Sequence, residues 1–315
     1  MSIAFVFPGQ GSQTVGMGRE FIENFSTARH VMQEVDDHLS QKLTTLILEG
    51  PLDKLTLTEN AQPALLAISL AILKTLEQES GQPVSSFVSH LAGHSLGEYT
   101  ALCAAGVLDI AQAVRLVRIR GQAMQTSVPV GKGSMAAILG LDIEAIEQLL
   151  AEFNKPEFVC VVANDNAPGQ VVISGHTTAV DQAIAKANDA GAKRAIALTV
   201  SGPFHSPLMQ PAADVMRTTL EQVILKEPTV PVLANVTAMP VIGTQILPDL
   251  LVQQVTGRVR WRETILNLAA LNCYHVIEIG AGKVLTGLNK RIAPSLQATA
   301  INTPHDLEGF LKDIP

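Results

Sequence analysis

The sequence predicts an α/β fold: a sheet core carrying its site at the strand ends, with a ferredoxin-like α+β subdomain inserted into it. Two observations carry this prediction. The apolar run at residues 84–92 leads straight into GHSLGEYTALCAAG, so that a strand, a glycine-flanked turn and a helix follow one another. Between residues 129 and 199 the pattern reads β-α-β-β-α-β, the order of a unit that packs two helices on one sheet face. The main domain is then discontinuous, made of residues 1–128 and 200–315 around a subdomain at 129–199.

The elements follow in order. IAFVF at 3–7 reads as a first buried strand, closed by a Gly-rich turn, and the polar, amphipathic stretch from 19 to 49 suits helices. The longest apolar run, 64–73, stops at Lys74, far short of the roughly 20 residues a membrane helix needs, and reads as a helix inside the core. After GHSLG come the subdomain elements: strand-like MAAIL, a helix at 142–153, strand-like FVCVVAN and QVVIS, a helix at 178–190, and strand-like RAIAL. Gly131 and Gly133 on one side and residues 201–203 on the other mark the crossings back to the main body. A helix at 212–223, strand-like VPVLANV, an amphipathic region at 248–271, strand-like YHVIEIG and further helix complete the chain.

Composition removes several function classes. With 315 residues, the chain buries a core without staples, and its net charge of −7 argues against nucleic acid as a partner. The three cysteines, Cys103, Cys160 and Cys273, are far apart and odd in number, which suits neither a disulfide framework nor a zinc site; a reducing cytoplasm is the natural setting. The N-terminal run has no basic flank and ends at Pro8, too short for a signal peptide. No membrane segment, metal site or repeat is expected. GAGKVL has Ile277 where a phosphate loop needs its first glycine and Val284 where it needs Ser or Thr, so no nucleotide motif remains.

GHSLG fits the nucleophile-elbow pattern G-x-S-x-G, in which two glycines let a strand turn sharply into a helix and expose a serine. Ser95 is the candidate nucleophile, favoured over a plain helix cap by the strand before it and the helix after it. The free N–H groups that follow, starting with Leu96, can stabilise an oxyanion. A serine needs a base within reach. His94 adjoins Ser95, but neighbours on a turn point different ways, and a structural role is the better reading. His205 sits in SGPFHSPLM between Pro203 and Pro207, a stiff loop that suits a fixed ring, with base and capped loop residue both open. Gln10, in the turn after the first strand, offers a second oxyanion N–H or is part of a plain turn. Arg115, Arg118 and Arg120 cannot share one helix face, so one of them can be buried for a reason; a guanidinium fork suits a substrate carboxylate.

Taken in order, FPGQGSQ, GHSLGEY, RGQAM, GPFHSPLM and GAGKVLTGL closely resemble the malonyl-CoA:acyl carrier protein transacylase family, whose pattern also occurs in polyketide synthase acyltransferase domains. The resemblance runs from residue 3 to residue 302. It implies a hydrolase-like parallel-sheet core with the ferredoxin-like insertion. It also implies Ser95 as the acylated nucleophile, His205 as its general base, backbone N–H groups of Gln10 and Leu96 as oxyanion donors, and Arg120 as the clamp on the malonyl carboxylate. By the same resemblance the backbone carbonyl of Gln254 orients the histidine, no triad Asp is expected, and Phe204 crowds an acyl chain bearing an extra methyl. The implied activity is transfer of malonyl from malonyl-CoA to the phosphopantetheine thiol of holo acyl carrier protein, without a cofactor, by a monomer. The rivals are a trans-acting polyketide acyltransferase, an acyl hydrolase releasing the acyl group to water, and a non-catalytic docking subunit.

Overall fold

Ser2–Phe7 (β1) forms the middle strand of a parallel sheet in the computed structural model, which describes residues 2–313. His90–Gly93 (β2) follows. Next come Gly133–Leu139 (β3), Asn154–Lys155 (β4), Phe158–Ala167 (β5), Gln170–His176 (β6) and Arg194–Ala197 (β7). Val232–Leu233 (β8), Cys273–Ile279 (β9) and Gln297–Ile301 (β10) complete the strands. They form two sheets, one ordered β10-β9-β1-β2-β8 and parallel throughout, the other ordered β4-β5-β6-β3-β7 and antiparallel.

The parallel sheet follows from the chain's apolar runs. Ala4, Phe5, Val6 and Phe7 are all fully buried, as a strand covered on both faces requires. The helix Thr58–Ser80 contains the long apolar run and is buried from Asn60 to Leu73. Because β1 pairs with β2 from Ala4↔His90 to Phe7↔Gly93, the turn after β1 and the turn after β2 emerge side by side. That register brings Gln10 toward Ser95.

In the second sheet, β3, β5, β6 and β7 reproduce the ferredoxin-like strand order, with the helices Ile143–Leu150 and Thr177–Asp189 between them. Ile138, Ile146, Phe153, Ile173 and Val180 make a core of their own. The two sheets are stitched together where β5 passes Val259: Asp165 donates its N–H to Val259 O at 2.9 Å and Val259 donates to Ala163 O at 2.8 Å. Arg262 Nε meets both carboxylate oxygens of the buried Asp165 at 3.0 and 2.9 Å.

Some elements differ from the sequence expectation. The run at 84–92 is a 3-10 turn, Val84–Ser86, followed by the short strand β2, because Pro83 and two serines open it as a turn. VPVLANV contributes only the two residues of β8, since the chain turns back after Ala234, whose N–H donates to Met239 O and whose carbonyl accepts the Ala238 N–H. The amphipathic region at 248–271 is two helices, Leu247–Thr256 and Trp261–Ala270, parted at Gly257. β10 has no counterpart among the expected strands.

Candidate active site

A cavity of about 370 Å³ opens between the two sheets, lined by the turns after β1 and β2 and by residues of the subdomain. Gln10, Ser95, Leu96, Arg120, Phe204 and His205 all border it. Gln254 lies behind them and is fully buried.

Ser95 caps the helix Leu96–Ala104 with φ 52 and ψ −106, a conformation rarely adopted outside glycine. The two flanking glycines are required by space. A Cβ at Gly93 would stand 1.9 Å from Gly97 O, and one at Gly97 would stand 2.2 Å from Phe7 O. Ser95 Oγ lies 2.8 Å from His205 Nε2, and His205 Nδ1 lies 2.8 Å from the backbone carbonyl of Gln254. Since a carbonyl can only accept, Nδ1 carries the proton and Nε2 is free to accept from Ser95. Burial, then the nearby Arg120 cation, push the His205 pKa down to about 3, so the ring is neutral at physiological pH.

The remaining donors converge on the same point. The N–H groups of Gln10 and Leu96 have no hydrogen-bond partner among the described residues, leaving both available to the cavity. Arg120 is 1% exposed. Its Nη1 donates to Gln62 Oε1 at 2.7 Å, and its Nη2 donates to Gln254 Oε1 at 2.9 Å and to Ser95 Oγ at 3.0 Å. The guanidinium also stands over the Tyr99 ring. Its direct partners are therefore all neutral. A buried cation in such a setting favours an anionic group arriving beside the serine.

Phe204 is 7% exposed at the cavity wall, and His205, like Ser95, has a positive φ, 57. Of the other arginines considered from sequence, Arg118 bonds to Asn60 and Gln41, and Arg115 reaches His38 near the surface. His94 borders the same cavity but is engaged elsewhere: its Nε2 contacts Asn166 Oδ1 at 2.8 Å and its ring packs on Trp261. No group of three His, Cys, Asp or Glu side chains suited to a metal ion occurs among the described residues, and no described helix is long and apolar enough to cross a membrane.

Sequence reasoning passed over Gln62, Asn235 and Glu98. Gln62 stands out as a polar residue at the start of a long apolar run, and Glu98 as a carboxyl group in the first turn of a wholly buried helix. Asn235, in a short loop after β8, gives no local signal.

A family model described as the acyl transferase domain matches residues 4–299. The malonyl CoA-acyl carrier protein transacylase of Bacillus subtilis (strain 168) is 45% identical over 306 residues, covering 97% of this chain and 95% of that protein. Its counterpart from Escherichia coli (strain K12) is 44% identical over 309 residues, covering 98% of each chain. Among solved structures, the acyl-carrier-protein S-malonyltransferase of Bartonella henselae superposes with a TM-score of 0.96 at 52% identity, covering 99% of both chains. A malonyl-transacylase solved in complex with a type II PKS acyl-carrier protein matches with a TM-score of 0.95 at 42% identity over 100% of both.

Proposed function

The chain belongs to the acyl transferase domain family, with malonyl CoA-acyl carrier protein transacylases as its near relatives, and on that premise we propose how its site works. The protein transfers malonyl from malonyl-CoA to the phosphopantetheine thiol of acyl carrier protein, supplying the extender unit of fatty acid synthesis. The observation that carries the malonyl preference is Arg120, a buried cation with neutral partners 3.0 Å from Ser95 Oγ.

Ser95 Oγ attacks the thioester carbonyl while its proton passes to His205 Nε2. The oxyanion sits between the N–H groups of Gln10 and Leu96, each such donor being worth about 3 kcal/mol. The C–S bond breaks, coenzyme A takes the proton from His205, and malonyl remains on Ser95. The carrier's thiol then enters, gives its proton to His205 and attacks; Ser95 leaves and recovers the proton. Gln254 O holds the ring and supports the imidazolium, standing where other serine enzymes place a carboxylate. Phe204 narrows the space for a branched acyl chain.

Arg120 also has a part in timing. In the free protein its Nη2 occupies a lone pair of the nucleophile, and its charge lowers the basicity of His205. A malonyl carboxylate draws the guanidinium toward itself and offsets that charge, so binding of the anionic substrate frees Ser95 and strengthens the base. Acetyl-CoA does neither.

All these groups come from one chain, so we take the monomer as the working unit, in the cytoplasm, with no cofactor called on by any step. The test is intact-mass analysis after incubation with malonyl-CoA or acetyl-CoA, with and without holo carrier protein, and with Ser95→Ala alongside. A malonyl adduct that needs Ser95 and moves to the carrier is expected. Free malonate with an unloaded carrier would establish the hydrolase instead, and no adduct the docking subunit.

A further inference from the structure

Glu98 lies three residues beyond Ser95, in the first turn of the helix Leu96–Ala104, and is 1% exposed. It forms no ion pair among the described residues, and acyl transfer as proposed does not call on it. A carboxyl group so placed is costly unless its oxygens are well occupied. Its Oε2 accepts from Gln254 Nε2 at 2.7 Å and from the backbone N–H of Asn235 at 3.2 Å.

Those two residues hold the backbone of Ser95 from both sides. Asn235 Oδ1 accepts the Ser95 N–H at 2.7 Å, while its Nδ2 donates to Gly93 O at 2.7 Å, bracing the two arms of the elbow. Gln254 Nε2 donates to Ser95 O at 2.8 Å. A residue at φ 52 and ψ −106 keeps that conformation only when its surroundings over-determine it. Here both polar groups of its peptide backbone are tied to residues that Glu98 contacts.

The same amide governs Arg120. The oxygen and nitrogen of a glutamine side chain are nearly isosteric, so its orientation is set by what faces it. At Gln254 one end faces two acceptors, Ser95 O and Glu98 Oε2, and must be the NH₂; the other end is then Oε1, which accepts from Arg120 Nη2 at 2.9 Å. A flipped amide would set its NH₂ against the guanidinium. The acceptor at position 98 thus favours the orientation that keeps Arg120 beside the nucleophile.

We propose that Glu98 is a positioning residue for acyl transfer: through Asn235 and Gln254 it holds the strained Ser95 backbone and keeps Arg120 against Ser95 Oγ. Desolvation raises its pKa to about 7, but a proton on Oε1 leaves Oε2 an acceptor, so the role is the same in either protonation state.

The selectivity part rests on the proposed malonyl transfer; the part concerning Ser95 does not, and the experiment separates them. Labelling of Ser95 by an alkyl fluorophosphonate needs the elbow, the base and the oxyanion donors, but no malonyl group or carrier. Glu98→Leu, checked for folding by circular dichroism, is expected to label about 100-fold more slowly, the size of loss that a misplacement of about 1 Å produces. Its preference for malonyl-CoA over acetyl-CoA falls with it. Glu98→Gln, which keeps an acceptor, restores most of both. Asn235→Ala is the second variant, and it slows labelling while leaving malonyl preference in place, because the Gln254–Arg120 link is intact. Unchanged labelling and selectivity in folded Glu98→Leu would overturn the proposal; should that variant not fold, unchanged labelling in Asn235→Ala would do so, and so would a Glu98→Gln protein as impaired as Glu98→Leu. Wild-type protein that labels but forms no malonyl adduct would refute the transfer reading, while the relative labelling rates still decide the role of Glu98.

Discussion

On the proposed clamp role, removal of Arg120 should change the kind of substrate accepted as well as the rate. Arg120→Ala takes away the proposed partner of the malonyl carboxylate and also the donor that sits on Ser95 Oγ in the free protein. Malonyl-CoA should lose about 100-fold or more in kcat/KM, as a charge left without its partner implies, while acetyl-CoA is spared and becomes the preferred donor. Steady-state rates with both thioesters check this, and retained malonyl preference would remove Arg120 from the clamp role. His205 gives a second expectation. Burial holds its pKa near 3, so the free protein keeps the neutral base well below the range where an ordinary histidine titrates. The kcat/KM profile should therefore stay level between about pH 5 and 8, with no step near 6.5. Glu98 shifts the other way, from 4.5 up to about 7. In that window the native protein holds a proton that the unfolded chain has released, so this group's contribution to stability falls as pH rises. The Glu98→Gln protein lacks that slope. Measured by urea unfolding, it should gain roughly 3 kcal/mol on wild type between pH 4 and pH 8. At this scale Ser95, His205 and Arg120 were legible because each stands in a motif whose neighbours shape the chain. Glu98, Gln62 and Asn235 act through contacts that exist only once distant segments meet, so no local pattern announces them.

Elements differ in how plainly they were written. β1 and the helix Thr58–Ser80 were readable because full burial forces apolar runs, and the subdomain because its strands and helices alternate cleanly. β10, QATAI, pairs only with β9 at the sheet edge, where small and polar residues suffice and the hydrophobic signal fades. The Val84–Ser86 turn was hidden by valines and a phenylalanine that pack against the core without joining the sheet. The elbow is the element whose sequence is most tightly dictated. Gly97 approaches Phe7 O so closely that a methyl group there must push β1 and the elbow helix apart, and both meet other backbone. Gly97→Ala should reduce Ser95 labelling by at least tenfold and lower the melting temperature by several degrees, consistent with overpacking costs of about 1 to 3 kcal/mol. Calorimetry and labelling on the same sample test both halves. A fully active, equally stable Gly97→Ala protein would mean that the strand-to-helix approach is looser than its geometry.

The whole molecule places its cavity at the seam between two sheets, so the site depends on how firmly they are joined. That seam includes the β5 backbone bonds to Val259, the His94–Asn166 contact, the bonds of Arg291 to Gln170 Oε1 and Pro168 O, the Arg258–Glu147 pair near the surface and, beneath it, the Arg262–Asp165 pair. The ion pair is lopsided, since Asp165 has 1% side-chain exposure and Arg262 has 25%. This asymmetry decides what each substitution does. Arg262→Met strands a carboxylate that has no route to water, and it must either stay charged in a poor environment or take up a proton. Asp165→Asn leaves an arginine that can turn outward and hydrate, while the amide still accepts one of its N–H groups. The first change should therefore cost about 3 kcal/mol and the second about 1, although both delete the same pair. Urea midpoints at pH 7 measure the difference. The stranded carboxylate adds a further signature: with its proton restored at low pH it is no longer a buried charge, so the gap between Arg262→Met and wild type should narrow as pH falls toward 5. Because β5 also carries Asn164 and Asn166 into the cavity wall, Arg262→Met should raise KM for malonyl-CoA more than it lowers kcat, which leaves the Ser95–His205–Gln254 arrangement in the main domain as the fixed part of the site. Equal costs for the two substitutions, independent of pH, would show that the seam is held by its other bonds and that the Arg262–Asp165 pair contributes nothing to it.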